Sequence, residues 1–231
     1  MRLAVIILCV IMGKHIFPQE DKFTAARNSM VKTQIIGRGI TNSATIKAMR
    51  KVPRHLFVSR DSENDAYGDY PMSIGYGQTI SQPYIVAYMT EVVRPSDNKK
   101  ALEIGTGSGY QAAVLAEIVD KVYTIEIVPE LAKESAERLN LLGYKNIIAK
   151  AGDGYNGWPE HAPYDIIIVT AAPNKIPEPL IDQLAENGRL VIPVGEQGRI
   201  QELMLLVKKN GKIDKTRLTF VRFVPFRRSK D

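Results

Sequence analysis

The pattern of apolar and polar positions changes character near residue 100. Beyond it, short continuous apolar runs alternate with segments of helical period. Runs at Ala101–Ile104, Val122–Ile127, Ile147–Lys150, Asp165–Thr170 and Arg189–Val194 predict strands, and the Ile-Ile-Ile-Val of the fourth is what a strand buried on both faces requires. Between them, Ser108–Val119, Pro129–Leu142 and Glu178–Glu186 predict helices; in the second, charges at 130, 133, 134, 137 and 138 form the outer side. The end differs. Leu203–Lys208 and Arg217–Val224 read as strands joined through Lys209-Asn210-Gly211-Lys212, an Asn-Gly turn with no helix between. The order predicts a doubly wound, Rossmann-like α/β sheet closed by an antiparallel C-terminal edge.

Before residue 100 the pattern is helical and then irregular. Ala25–Ile36 predicts a helix stopped at Gly37 and Gly39, and Asn42 or Ser43 caps a second one through Lys51, ended by Pro53. These predict a small helical cap. Residues 61–83 read as a loop, but Tyr67, Tyr70, Met72, Ile74, Tyr76 and Ile80 interleave it, which argues for an ordered, packed segment. It ends at Ser81-Gln82-Pro83, where a helix from Tyr84 to Val93 begins. The expected organisation is an extension at 1–20 and one domain at 21–231, with the cap and loop at 21–98 and the sheet at 99–231.

Composition narrows little. The chain has 231 residues, 45% hydrophobic and 24% charged, as soluble globular proteins have. A net charge of +6 is modest and interspersed, so no nucleic-acid partner is expected. The single cysteine, Cys9, excludes an internal disulfide framework and a cysteine-built metal site. His15, His55 and His161 are scattered and have no ligand spacing, so no metal is expected. Arg2 precedes ten apolar residues, Leu3–Met12. That is too short for the roughly 20 residues of a membrane span, yet it suits a signal segment. No small-x-small cleavage site follows, so export and a plain extension both stand. No stable membrane association is expected of the mature domain, and with no heptad pattern the expected state is a monomer.

Candidate chemistry centres on Gly105-Thr106-Gly107-Ser108-Gly109-Tyr110, between a strand and a helix. Glycines bend the chain sharply and admit a ligand to the backbone. Glu126, 21 residues after Gly105 at the next strand end, can accept from a ribose diol. Dinucleotide loops need a third small residue where this chain has Tyr110. The spacing Gly105-x-Gly107-x-Gly109 instead resembles the loop of S-adenosylmethionine-dependent methyltransferases, whose cofactor carries no phosphate. Glu103 before the loop, and Gly152 and Asp153 after the third strand, fit that family, with Asp153 near adenine and able to accept from its amine. Glu103 also reads as an exposed strand-end acid, and Asp153 as a turn or cap residue.

Several segments together resemble the protein-L-isoaspartate O-methyltransferase family. They are Ile74-Gly75-Tyr76-Gly77-Gln78-Thr79-Ile80-Ser81-Gln82-Pro83, Val52-Pro53-Arg54-His55-Leu56-Phe57-Val58, Leu102 to Tyr110, Gly152-Asp153-Gly154, Tyr164 to Pro173 and Arg222-Phe223-Val224-Pro225. The likeness covers roughly residues 25–226. It implies the methyltransferase sheet, S-adenosylmethionine as cofactor, and isoaspartyl-containing proteins and peptides as substrates. It also implies an active-site serine at Ser81, cofactor contacts at Thr79, Ile80 and Ile127, and a cytoplasmic location, with export as the alternative. Ser59 stands where a proline is usual, and Tyr70 and Met72 are variants. Ser81 also reads as a helix cap, and capping and substrate binding are compatible. Competing readings are weaker. The Asn/Asp-Pro-Pro-aromatic motif of amino-methylating enzymes is missing, since the matching strand ends Thr170-Ala171-Ala172-Pro173. Tyr110 disfavours a nicotinamide dehydrogenase, and intact Ser81, Glu126 and Asp153 disfavour a binding module without turnover.

Overall fold

The computed structural model describes residues 22–229, so the apolar extension at 1–20 lies outside the described residues. Two short helices come first, α1 (Thr24–Met30) and α2 (Ser43–Lys51). The expected single helix over Ala25–Ile36 is instead α1 continued by a π turn at Val31–Ile35 and a 3-10 turn at Ile36–Arg38. A π turn brings residues five apart over one another, so Met30 and Ile35 are buried together. Gln34 is left to donate to the Tyr67 carbonyl at 2.8 Å. α2 starts where its cap predicts, with Asn42 Oδ1 accepting from the Thr45 N–H at 2.9 Å. It stops because Val52, preceding Pro53, takes an extended conformation.

The stretch read as a loop holds structure of its own. A 3-10 turn spans Arg60–Asp65, and β1 (Met72–Gly75) pairs antiparallel with β2 (Gln78–Ile80). Tyr76 and Gly77 form the tip with φ of 54° and 71°, the left-handed pair that a tight hairpin demands. Four alternating residues in β1 are too few to announce a strand by period alone. α3 (Pro83–Val92) follows with proline at its start.

The main sheet has seven strands: β3 (Lys100–Ile104), β4 (Lys121–Glu126), β5 (Ile147–Ala151), β6 (Tyr164–Val169), β7 (Leu184–Val194), β8 (Gln201–Lys209) and β9 (Lys212–Val221). Their order is β5-β4-β3-β6-β7-β8-β9. β3 to β7 are parallel neighbours, and β8 and β9 return antiparallel. Between the strands lie α4 (Tyr110–Ala116), α5 (Pro129–Leu141) and the five-residue α6 (Glu178–Asp182). The sequence extends this last helix to Glu186. Leu184 instead opens β7 beside Tyr164, whose N–H bonds the Gln183 carbonyl at 2.8 Å.

Alternate residues of the strands feed two apolar cores. Ala101, Ile166, Ile168 and Val191 face the cap, α3 and α4. Leu102, Ile104, Ile167, Val169 and Ile192 face the other way, onto Leu180 of α6 and Trp158. β9 ends three residues before the predicted boundary. Arg222–Pro225 leaves the sheet and crosses to the end of β6, where Ala172 donates to the Val224 carbonyl at 2.9 Å and Phe226 donates to Ala172 at 3.0 Å.

Candidate functional site

β3 lies between β4 and β6, so the chain runs out of β3 on one side and re-enters on the other. A crevice opens there, at the carboxyl ends of the strands, as it does wherever parallel strand order reverses. Its floor is Gly105, Gly107, Ile125, Glu126, Ile127 and Gly154. Gly105 has φ 94°, and a Cβ there would collide with the Thr170 hydroxyl, so the position admits only glycine. Gly154 is equally confined, against Ile104.

The loop is held rigid from three sides. Gly105 N–H bonds the Ile125 carbonyl at 2.8 Å, and Thr170 Oγ1 donates to the Gly105 carbonyl at 2.7 Å. Thr106 Oγ1 and Thr124 Oγ1 are 2.6 Å apart, and Thr124 donates to Glu103 Oε2 at 2.5 Å. The Glu126 carboxylate accepts from Gly107 N–H at 2.7 Å and from Val128 N–H at 2.9 Å. This last pair carries chemical meaning. In a dinucleotide site the loop N–H groups face a pyrophosphate; here a carboxylate already occupies one of them. The carboxylate at this N–H disfavours a phosphate there, while it suits neutral hydroxyls and a cationic sulfonium. Tyr110, too large for a dinucleotide loop, turns away to pack edge-on against Phe57 beneath Arg54.

The other sequence-derived residues divide. Thr79 lines the cleft, whereas the Ile80 side chain is buried in the core. Glu103 is wholly buried beneath the loop and off the cleft wall, so it is no exposed strand-end acid. Burial pushes its carboxyl up to about 8; the Thr124 hydrogen bond opposes that and the nearby Glu126 adds to it. Gly152 N–H bonds the Glu126 carbonyl at 2.8 Å, which fixes the turn after β5. Asp153 lies off the cleft wall. Its Oδ1 accepts from Tyr155 N–H at 2.9 Å, and its Oδ2 pairs with Arg228 Nε at 2.9 Å and accepts from Ser229. Burial opposes ionisation of this carboxyl, but the Arg228, Tyr155 and Ser229 hydrogen bonds outweigh it and hold Asp153 below the usual range.

The C-terminal segment is the part that residue-type reasoning missed. Val224, Pro225, Phe226 and Arg227 line the cleft opposite the glycine loop, alongside Gln78, Thr170 and Ala171. Arg227 donates to the Tyr76 carbonyl at the hairpin tip, and Arg228 lies 3.6 Å over the Tyr155 ring. Nothing in the tail's composition marks it as a wall; the only signal was the Arg222–Pro225 likeness.

A second pocket adjoins the first, and Thr79 lines both. Ser81, Gln82 and Ile85 line it from one segment, Phe220, Arg222 and Phe223 from another. Ser81 is not the helix cap. Gln82 occupies that position, and its side chain bonds Asp69 instead of the helix. The Ser81 hydroxyl makes no hydrogen bond among the described residues and faces the pocket half-buried. Among the described residues, no helix is long and apolar enough to cross a membrane.

Residues 25–231 match the family model described as protein-L-isoaspartate(D-aspartate) O-methyltransferase. A protein-L-isoaspartate O-methyltransferase of Opitutus terrae is 53% identical over 229 residues, covering 99% of this chain and 98% of its own length. One from a Picosynechococcus species is 56% identical, covering 89% and 91%. A solved protein-L-isoaspartate O-methyltransferase superposes with a TM-score of 0.79 at 29% identity; the match covers 86% of this chain and 65% of that one. A Plasmodium falciparum structure named as the same enzyme, in complex with S-adenosyl-L-homocysteine, gives 0.73 at 31% identity, covering 88% and 99%. The family model matched over residues 25–231, with relatives more than 50% identical along most of their length, places this chain in the protein-L-isoaspartate(D-aspartate) O-methyltransferase family.

Proposed function

We propose that this protein transfers a methyl group from S-adenosylmethionine to the free carboxylate of L-isoaspartyl, and D-aspartyl, residues in damaged proteins and peptides. The ester then collapses to a succinimide that reopens in part to normal aspartate. The observation that carries the reading is the junction at Thr79, where a cleft suited to a phosphate-free nucleoside meets a pocket lined by Ser81, whose hydroxyl has no hydrogen bond among the described residues.

The cofactor, when bound, supplies an electrophilic methyl on a sulfonium. The acceptor is ionised at neutral pH, since carboxylic acids titrate near 4, so no side chain need act as base. The chain's own task is to place the two groups in line and exclude water. Gly105, Gly107, Glu126 and Ile127 hold the cofactor, with Glu126 toward the ribose hydroxyls and Thr79 at the junction. Gly152 and Glu103 act from behind the wall, by shaping the turn after β5 and the glycine loop. Ser81 donates to one acceptor oxygen, and the first-turn N–H groups of α3 add a positive helix end beside the same anion. The exposed backbone of Gly75 and Gly77 and the extended Arg222–Val224 segment suit recognition of peptide backbone, as a substrate class of mixed sequence requires.

Radiolabelled methyl transfer tests the reading. An isoaspartyl peptide should be labelled and its aspartyl twin should not; equal labelling, or none, rejects it. Ser81→Ala should lower turnover while cofactor affinity stays within a few-fold, and loss of cofactor binding would show the serine to be misassigned. The active protein is read as a cytoplasmic monomer with no nucleic-acid partner. The alternative of export through residues 1–20 is tested by sequencing the mature N-terminus from the native host.

A further inference from the structure

The substrates share one feature whatever their neighbouring residues, an ionised carboxylate. Among the described residues, Arg222 is the one ionisable side chain lining the pocket that holds Ser81. It is exposed, and it has no ion-pair partner among the described residues. Some of the other arginines are paired. Arg38 pairs with Asp69, Arg199 with Glu196, Arg217 with Glu202 and Arg228 with Asp153. Arg217, within β9, takes the Glu202 carboxylate of β8, whereas Arg222 lies just past the end of β9. Among the described residues, a cation without an ion pair and a hydroxyl without a hydrogen bond therefore line one pocket.

We infer that Arg222 captures the acceptor carboxylate, drawing it into the pocket that Ser81 lines. The inference rests on the methyltransferase reading. Its energetics follow from the charge change. Carboxylate and sulfonium lose their charges as the methyl moves, so a cation gripping the acceptor tightly would stabilise the starting state more than the transition state. An exposed guanidinium avoids that penalty. In water its attraction is weak, screened by salt, and spent on encounter and binding. Arg222 thus acts on KM and leaves kcat nearly alone.

Steady-state kinetics on the full chain test this, using an isoaspartyl peptide with blocked ends and uncharged neighbours, so that the acceptor is its only anion. Arg222→Gln should raise KM about fivefold at low ionic strength, the upper range for an exposed pair, with kcat within about twofold. High salt should abolish the difference, Arg222→Lys should retain most of the capture, and cofactor affinity should be unchanged in both variants. An unchanged KM, or one raised equally at low and high salt, overturns the inference. So does an effect confined to a second peptide carrying a glutamate neighbour, which would mean that Arg222 reads flanking residues. If the wild-type protein labels neither peptide, the methyltransferase reading fails and takes this one with it.

Discussion

Glu103 shows what a residue's surroundings do to its chemistry. It is wholly buried, and its Oε2 takes the Thr124 hydroxyl. Desolvation raises its carboxyl to about 8, so the folded chain holds a proton there that the unfolded chain, with its carboxyl near 4.5, has released. Between those values the native state binds more protons. Stability is therefore greatest below the unfolded value and falls as pH rises from about 4.5 to about 8, on the order of 1 kcal/mol per pH unit. Urea unfolding at mildly acidic and at neutral pH should show this slope, and Glu103→Gln should flatten it. An unchanged slope in the variant would place the titrating group elsewhere. Gly105 makes the complementary case. With φ 94° and Thr170 against its open side, Gly105→Ala should weaken cofactor binding at least tenfold, as read by equilibrium dialysis. Both residues were legible as part of a cofactor loop. That one is a buried positioning acid and the other a wall depends on which way each faces.

At the scale of elements, strength of pattern decided legibility. β6 is Tyr-Asp-Ile-Ile-Ile-Val and is buried along nearly its whole length, so an uninterrupted apolar run announced it. Ile168→Ala should cost about 2–5 kcal/mol in chemical denaturation, because close-packed neighbours on the cap side cannot collapse into the space. The Asn210-Gly211 turn was equally plain. Both residues are left-handed, with φ of 51° and 72°, and the Glu186 carboxylate accepts from both N–H groups. The β1–β2 hairpin and the shortness of α6 were not legible. A four-residue strand offers too few alternations, and Leu184 pairs with Tyr164 because the sheet competes successfully for a segment that also has helical period.

At the scale of the whole molecule, the cleft is closed by parts far apart in sequence. The tail binds the hairpin tip through Arg227 and the turn after β5 through Arg228, so its two arginines tie opposite sides of the cofactor cleft. Arg228→Ala should speed cofactor dissociation several-fold, measured by stopped-flow fluorescence. The same substitution in an Asp153→Asn background should add little, because the pair acts as a unit. Additive effects would separate the two roles. A direct bond from Asp153 to adenine competes with this arrangement, since Arg228 and Ser229 already fill Oδ2 and Tyr155 takes Oδ1.

By itself the sequence determined the parallel order, the glycine turn, the acid at the end of β4 and the serine before α3. These are local: period, backbone freedom and spacing along one strand–turn–helix unit encode them, and they sufficed to select a phosphate-free nucleoside cofactor. Only the tertiary structure decided that Glu103 is buried with its carboxyl pushed up, that Asp153 pairs with Arg228, that the tail lines the cleft, and that Arg222 and Ser81 line one pocket. Each of these depends on which groups meet across long separations, and on whether a charge arrives beside a partner, beside water or beside neither. Side-chain types along a chain do not carry that information until packing brings them together.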